Sequence, residues 1–267
     1  QSGEEGHGGA DRMLERDMHL ASGELPVSAY GIHVFSGWGI PKGIFASKPG
    51  PLMASAGDAL VTFHGKGGHG SSPWLSKDPI SVMVEAIAAI PTMITKRFDA
   101  FDPVIVNVGW ISAGKTDTTN IVPELAEFGA TIRTFSHENF DAIRRELKIL
   151  LESHAHTAGL TVDVEFSPAS QVVVNDAASV ARAEKIIRQE FGENRYVNLP
   201  HAMTGGEDFA SIIKVIPGAF IFLGACPPEI DPNVAPVNHS NHAVFDDEVL
   251  VEGSVLLAGV ALDILNG

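Results

Sequence analysis

Between residues 56 and 168 the spacing of apolar positions predicts strand, helix, strand, strand, helix, strand. Alternation over 59–63 marks the first strand, which runs into Gly65-Lys66-Gly67-Gly68-His69-Gly70. A helix follows, with Asp78 as its N-cap and Pro79 at the first helical position, where a missing N–H costs nothing. Pro91 is expected to end or kink it. Two strands, 104–111 and 125–134, flank a loop holding Gly114, Asp117, Asn120 and Pro123. The second helix has Ser136 to cap it, Phe140, Ile143, Leu147 and Leu151 along one face, and Gly159 where a left-handed C-terminal residue belongs. Alternation over 161–166 closes the set, and the order is that of the split β-α-β motif.

The flanks follow a different pattern. Residues 1–53 and 171–267 mix short apolar strands with helices, as in an α/β domain covered on both sheet faces. Val180, Ile186, Ile187 and Phe191 suggest one helix, residues 249–265 another, and the run 220–223 a buried strand. The simplest organisation is one α/β domain, residues 1–54 with 169–267, interrupted by an α+β domain over 55–168.

Composition narrows the function classes. The 267 residues are 45% apolar and 19% charged, enough for one or two soluble cores. A formal charge of −15 opposes a phosphate backbone, so nucleic acid is not an expected partner. Cys226 is the single cysteine, which excludes an intrachain disulfide and a CxxC zinc site, and a cytoplasmic home is the default. No uninterrupted apolar run approaches the roughly 18 residues of a spanning helix, so no membrane is expected. The N-terminus reads as the inside of a domain, and the expectation is a truncated chain whose exposed sheet edge promotes aggregation.

Several side chains could carry chemistry. Glu4 and Glu5 open a glycine-rich turn before a helix; one could ligate a metal while the other acts as a general base, or both could simply favour the helix dipole. His33 sits in an apolar strand and His239 in a polar turn beside His242; each could be a metal ligand, a satisfied core histidine or a solvated one. Histidine and carboxylate donors suit zinc, manganese or cobalt alike. His69 lies between glycines that allow close approach of a ligand, Asn120 is in a loop, and Arg133 on a strand offers a fork for a carboxylate, although all three also suit structural roles. Gly205-Gly206-Glu207-Asp208-Phe209 reads as a helix start.

The order of these pieces resembles the amidohydrolase branch of the co-catalytic metallopeptidases, the group of hippurate hydrolase, indole-3-acetyl-amino-acid hydrolase and N-acyl-amino-acid amidohydrolase. The residues that carry the resemblance are 3–10 (GEEGHGGA), 31–34 (GIHV), 65–73 (GKGGHGSSP), 119–124 (TNIVPE), 129–134 (GATIRT), 206–209 (GEDF), and His239 with 245–247 (FDD). They span nearly the whole chain. The resemblance implies a zinc-peptidase-like α/β catalytic domain interrupted by a ferredoxin-like lid that also forms a homodimer. It implies two divalent ions, zinc or manganese, with Glu4 as general base and Glu5, His33 and His239 as ligands. His69 would stabilise the oxyanion, and Asn120 and Arg133 would hold substrate. The implied reaction is hydrolysis of an N-acyl amino acid to a carboxylic acid and an amino acid, with a deacetylase or dipeptidase on the same scaffold, or a non-catalytic binding or dimerisation fragment, as alternatives. The family's His-x-Cys-Gly-His-Asp segment is absent from these 267 residues, and the surroundings of Cys226 do not replace it.

Overall fold

The computed structural model describes Gly3 and residues 8–267; Glu4 and Glu5, with the roles expected of them, lie outside the described residues. A short helix α1 (Gly9–Leu14) precedes strands β1 (Ala29–Phe35), β2 (Phe45–Ser47) and β3 (Gly50–Met53). The middle of the chain contains β4 (Gly57–His64), β5 (Gly68–His69), α2 (Pro79–Arg97), β6 (Val104–Ala113), β7 (Ile121–Val122), β8 (Leu125–Thr134), α3 (His137–Thr157) and β9 (Thr161–Phe166). The remainder holds β10 (Val173–Asn175), α4 (Ala177–Phe191), β11 (Tyr196–Asn198), α5 (Phe209–Val215), β12 (Gly218–Gly224) and α6 (Val249–Leu265).

The middle segment is a ferredoxin-like unit, a four-stranded antiparallel sheet in the order β6-β8-β4-β9. Strict alternation puts Val61, Phe63, Phe128 and Ile132 on one face, where Met83 and Ala86 of α2 and Ile143, Leu147 and Leu151 of α3 cover them. Asp78 caps α2 by accepting from the Ile80 N–H (2.9 Å), and Ser136 caps α3 by accepting from the Asn139 N–H (3.1 Å). Pro91 does not end α2, which continues to Arg97. The proline sits on the exposed side, and the lost ladder bond is outweighed by the buried stripe of Val82, Met83, Ala86 and Ile90. Helix α2 is also long and apolar enough to cross a membrane by length and composition alone, with mean hydropathy 1.3. Ser81, Glu85 and Thr92 interrupt its apolar run in the sequence, and its buried stripe is occupied by the sheet.

The flanking segments form a second sheet, β1-β12-β2-β11, with β1 parallel to β12 and β2 antiparallel to it. Every residue of β12 is buried, which explains its unbroken apolar run. On one face Ile221 and Leu223 pack on Ile186, Ile187, Leu256 and Val260 of α4 and α6; on the other Phe220 and Phe222 meet Phe35, Leu52, Ala210 and Ile213. Strands β3 and β10 pair antiparallel beside it.

Two chain segments cross between the sheets, and they are bonded to each other. Ala56 N–H donates to Ser170 O (3.3 Å) and Ser170 N–H to Ala56 O (3.0 Å). Ser55 N–H donates to Thr134 O (2.8 Å), and the Ser55 and Thr134 hydroxyls lie 2.8 Å apart, both buried. Gly206 packs against this crossing so closely that a Cβ there would fall 2.4 Å from Ala56 Cβ and 2.5 Å from Ser170 Oγ. Leu147 is fully buried at the centre of the lid core. Leu147→Ala is expected to destabilise the lid by about 2–5 kcal/mol, read as a lower midpoint in urea or guanidinium unfolding.

Candidate active site

His33 projects from β1, in register with Phe222 of β12. Its Nδ1 lies 2.9 Å from Val34 O, and since a carbonyl only accepts, the proton is on Nδ1 and Nε2 presents a lone pair. That is the tautomer a metal-ligating imidazole needs, fixed by a bond on its far nitrogen. Burial pushes the His33 pKa down, the Val34 bond opposes this, and the neighbouring His239 lowers it further. The two imidazoles therefore share one electrostatic environment, as well as one cavity of about 520 Å³.

His239 reaches that cavity from a turn in which its own backbone is left-handed (φ 71°). The turn is held by Asn238, which sequence reasoning passed over. Asn238 Oδ1 accepts from the Ser36 N–H (3.0 Å) and its Nδ2 donates to Val34 O (2.8 Å), so the side-chain amide acts as a short extra strand beside the end of β1. Ser36 Oγ adds a bond to Pro236 O (2.6 Å). Val34 O thus accepts from both His33 and Asn238, coupling the positions of the two histidines.

Asp11 and Asp208 complete the polar wall. Asp208 was expected at a helix start and as part of the 206–209 motif, with no site role of its own. Its side chain makes no cap bond to α5; instead Oδ2 accepts from the Ala10 N–H (2.8 Å) at the start of α1, 198 residues away. Gly9 N–H donates to Gly3 O (3.2 Å), so α1 is tied at one side to Gly3 and at the other to α5. Glu207 is buried and its Oε1 accepts from the Phe209 N–H (3.0 Å); burial pushes its carboxyl pKa up. The signal available in the sequence was that 206–209 stands among the motifs that carry the family resemblance.

Among the described residues, no three His, Cys, Asp or Glu side chains converge as a metal-holding group. Two imidazoles, with His33 Nε2 left free of its proton, line one cavity with the carboxylates of Asp11 and Asp208, and donors of this chemistry fit a divalent ion.

His69 and Asn120 are brought together on the lid. Strands β5 and β7 pair His69 with Ile121, and Gly70 N–H donates to Asn120 O (2.7 Å). His69 Nδ1 accepts from the Ser71 N–H (3.2 Å) and lies 2.8 Å from Ser71 Oγ. An N–H can only donate, so the neutral ring carries its proton on Nε2, opposite to His33. Arg133 spends Nη1 on Ile132 O (2.8 Å), Thr131 Oγ1 (2.7 Å) and Gly57 O (3.4 Å). His69, Asn120 and Arg133 are not part of the cavity wall that holds His33 and His239. Cys226 is a buried free thiol.

Residues 55–159 match the dimerisation domain of the M20 peptidases. The chain is 31% identical over 254 residues to N-acetyldiaminopimelate deacetylase of Listeria monocytogenes serovar 1/2a, covering 94% of this chain and 66% of that protein. It is 30% identical over 265 residues to the IAA-amino acid hydrolase ILR1-like 4 of Arabidopsis thaliana, covering 98% of this chain and 58% of that one. The chain belongs to the M20 peptidase family. A crystal structure of an M20 family member from Bacillus subtilis, described as a dinuclear metal-binding peptidase, superposes with a TM-score of 0.72 at 24% identity over 96% of this chain and 61% of that one. This M20 chain spans less than two thirds of the length of either curated relative.

Two outcomes follow from this geometry. Asn238→Ala removes both bonds of a part-buried amide and is expected to cost about 1–3 kcal/mol in chemical unfolding. For the metal-free protein, the folded pKa of His33 lies below the ordinary 6.5. Below about pH 6.5 the unfolded chain therefore takes up a proton that the folded chain refuses, and stability falls as the pH drops. His137, also depressed mainly by burial, adds to the same slope, so His33→Gln should reduce the slope of stability against pH in this window without abolishing it.

Proposed function

We propose that the whole protein hydrolyses the amide bond of N-acyl amino acids with the help of two divalent ions, zinc or manganese, and works as a homodimer through the lid. The observation that carries the reading is the pair His33 and His239 in one cavity, with His33 held in the ligating tautomer. Family membership supports it, together with the relatives' names: a deacetylase and an amino-acid-conjugate hydrolase are both amide hydrolases.

In this reading His33, His239 and Glu5 hold the ions. When bound, the ions supply positive charge that polarises a carbonyl and makes water a stronger acid. Glu4 takes a proton from the attacking water as its oxygen adds to the amide carbonyl carbon. His69 has its proton on Nε2 and donates it as a hydrogen bond to the carbonyl oxygen as charge develops there, once the lid or a partner's lid brings it in. The C–N bond then breaks, and Glu4 returns its proton to the leaving nitrogen, which frees a carboxylic acid and an amino acid. Asn120 and Arg133 hold the substrate's amide and carboxylate; two nitrogens of the Arg133 fork remain beyond the Nη1 bonds.

The test is metal content by mass spectrometry on the whole protein, with hydrolysis of N-benzoyl and N-acetyl amino acids assayed in parallel. About two ions and turnover are expected, with Glu4→Ala lowering turnover by roughly 10²–10⁴-fold. A whole protein that holds no metal and leaves both substrates intact would overturn the reading.

A further inference from the structure

The lid sheet has a face that no helix covers. Ala59, Val61, Phe128, Ala130 and Val164 turn to α2 and α3, so alternation leaves Asp58, Leu60, Gly129, Thr131 and Glu165 on the opposite face. Register sets the residues of that face in cross-strand rows. Asn107, Thr131 and Asp58 stand side by side on β6, β8 and β4, and in the next row Trp110, Gly129, Leu60 and Glu165 run from β6 to β9. Both rows line a cavity of about 600 Å³, a volume suited to a small ligand, which has only Pro168 in common with the cavity at His33.

Trp110 reaches this face through a break in the ladder. Val108 pairs with Ala130 and Trp110 with Gly129, so Gly109 is the extra residue of a β-bulge. Without the bulge, position 110 would follow Val108 to the helix side; with it, the indole is set on the open face and stays half exposed (48%). Gly129 provides its seat. A Cβ there would run into Trp110 Nε1 and fall 2.6 Å from Cε2, so the ring lies across the bare backbone of β8. Leu60, next in the row, is exposed as well. A bulge and a glycine thus hold a large apolar surface in the cavity wall, where burial against a ligand would remove it from water.

The charge on this face is one-sided. Asp58 and Glu165 are the charged residues of the cavity wall, and Glu127 and Asp163 share the row beyond. The basic groups on the face have partners: Arg133 Nη1 donates to Ile132 O, Thr131 Oγ1 and Gly57 O, and His64 Nε2 lies 2.8 Å from Asp163 Oδ2. A second copy docked here would set four carboxylates against four, which opposes self-association through this face and favours a positively charged occupant. Glu165 stands across Leu60 from the indole, two strand spacings of about 4.8 Å from β8, so apolar surface and carboxylate are one short molecule apart. We propose that this cavity binds a small organic cation, an ammonium or guanidinium on a short apolar stem, with the stem on Trp110 and Leu60 and the charge at Glu165 and Asp58. The site stands apart from the hydrolase reading and does not rest on it.

Three probes of one shape and different charge test it on the whole protein: 2-phenylethylammonium, 2-phenylethanol and 3-phenylpropionate. Affinities come from calorimetric titration, and the place of binding from the indole N–H resonances, with Trp110→Phe assigning that of Trp110. At low salt the ammonium is expected to shift the Trp110 resonance and to bind roughly fivefold or more tightly than the alcohol, with the propionate weakest. Glu165→Gln combined with Asp58→Asn should bring the ammonium down to the affinity of the alcohol. Trp110→Leu keeps an apolar cover over Gly129 and should weaken both by a similar factor. If that variant unfolds the lid, the double variant still decides, because Asp58 and Glu165 are exposed. Equal affinity for the ammonium and the alcohol, a shift at Trp38 or Trp74 in place of Trp110, unchanged affinity in the double variant, or no binding at about 10 mM would each overturn the proposal.

Discussion

The arrangement of this molecule depends on a close approach of backbone. The two segments that connect the sheets, at Ala56 and Ser170, are hydrogen-bonded to each other and rest on Gly206, where even a methyl group would not fit. Because Gly206 directly precedes Glu207 and Asp208, the contact that fixes the crossing also fixes the start of α5 and, through Asp208, the start of α1. Domain placement and site assembly are thus not separate problems in this chain. Ala56, Ser170, Gly206 and Asp208 all border the same cavity.

A second constraint acts at the other wall. Strand β1 delivers His33, and the turn after Pro236 delivers His239, from positions 206 residues apart in the chain. Backbone pairing alone does not join them, since β1 ends at Phe35. The Asn238 amide supplies the missing link by offering one acceptor and one donor to Ser36 and Val34, and Val34 O in turn orients the His33 ring. One carbonyl that accepts two bonds holds both imidazoles in place, with burial keeping His33 neutral and able to ligate.

Most of the fold was legible in the sequence because period and punctuation agreed. The lid helices have their caps at Asp78 and Ser136, and its strands alternate as a one-sided sheet must. Pro91 does not end its helix, because a proline on the exposed side of a helix with a deeply buried stripe does not stop it. Of the candidate site, His33 and His239 were legible as residue types in a recognisable order, and the structure brings them together. Asn238 and Asp208 were not. Each works through a contact between distant parts of the chain that no periodicity reports. Asn238 beside a histidine looks like any polar turn. His69 and Asn120 share a ribbon whose strands are two residues long, too short to leave a pattern.

Cys226 is buried two residues beyond the end of β12. Its thiol is 1% exposed, is directed at Ile230 O, and is the single sulfhydryl in 267 residues. Burial and the nearby acids Asp231 and Glu229 raise its pKa, which keeps it protonated and slow to react. The chain is therefore a ready background for site-specific spectroscopy. A cysteine introduced on the exposed side of the lid would be the first thiol a maleimide dye or spin label reaches, and a pair of such labels across the Ala56–Ser170 crossing would report the distance between the two sheets without any need to remove the native residue.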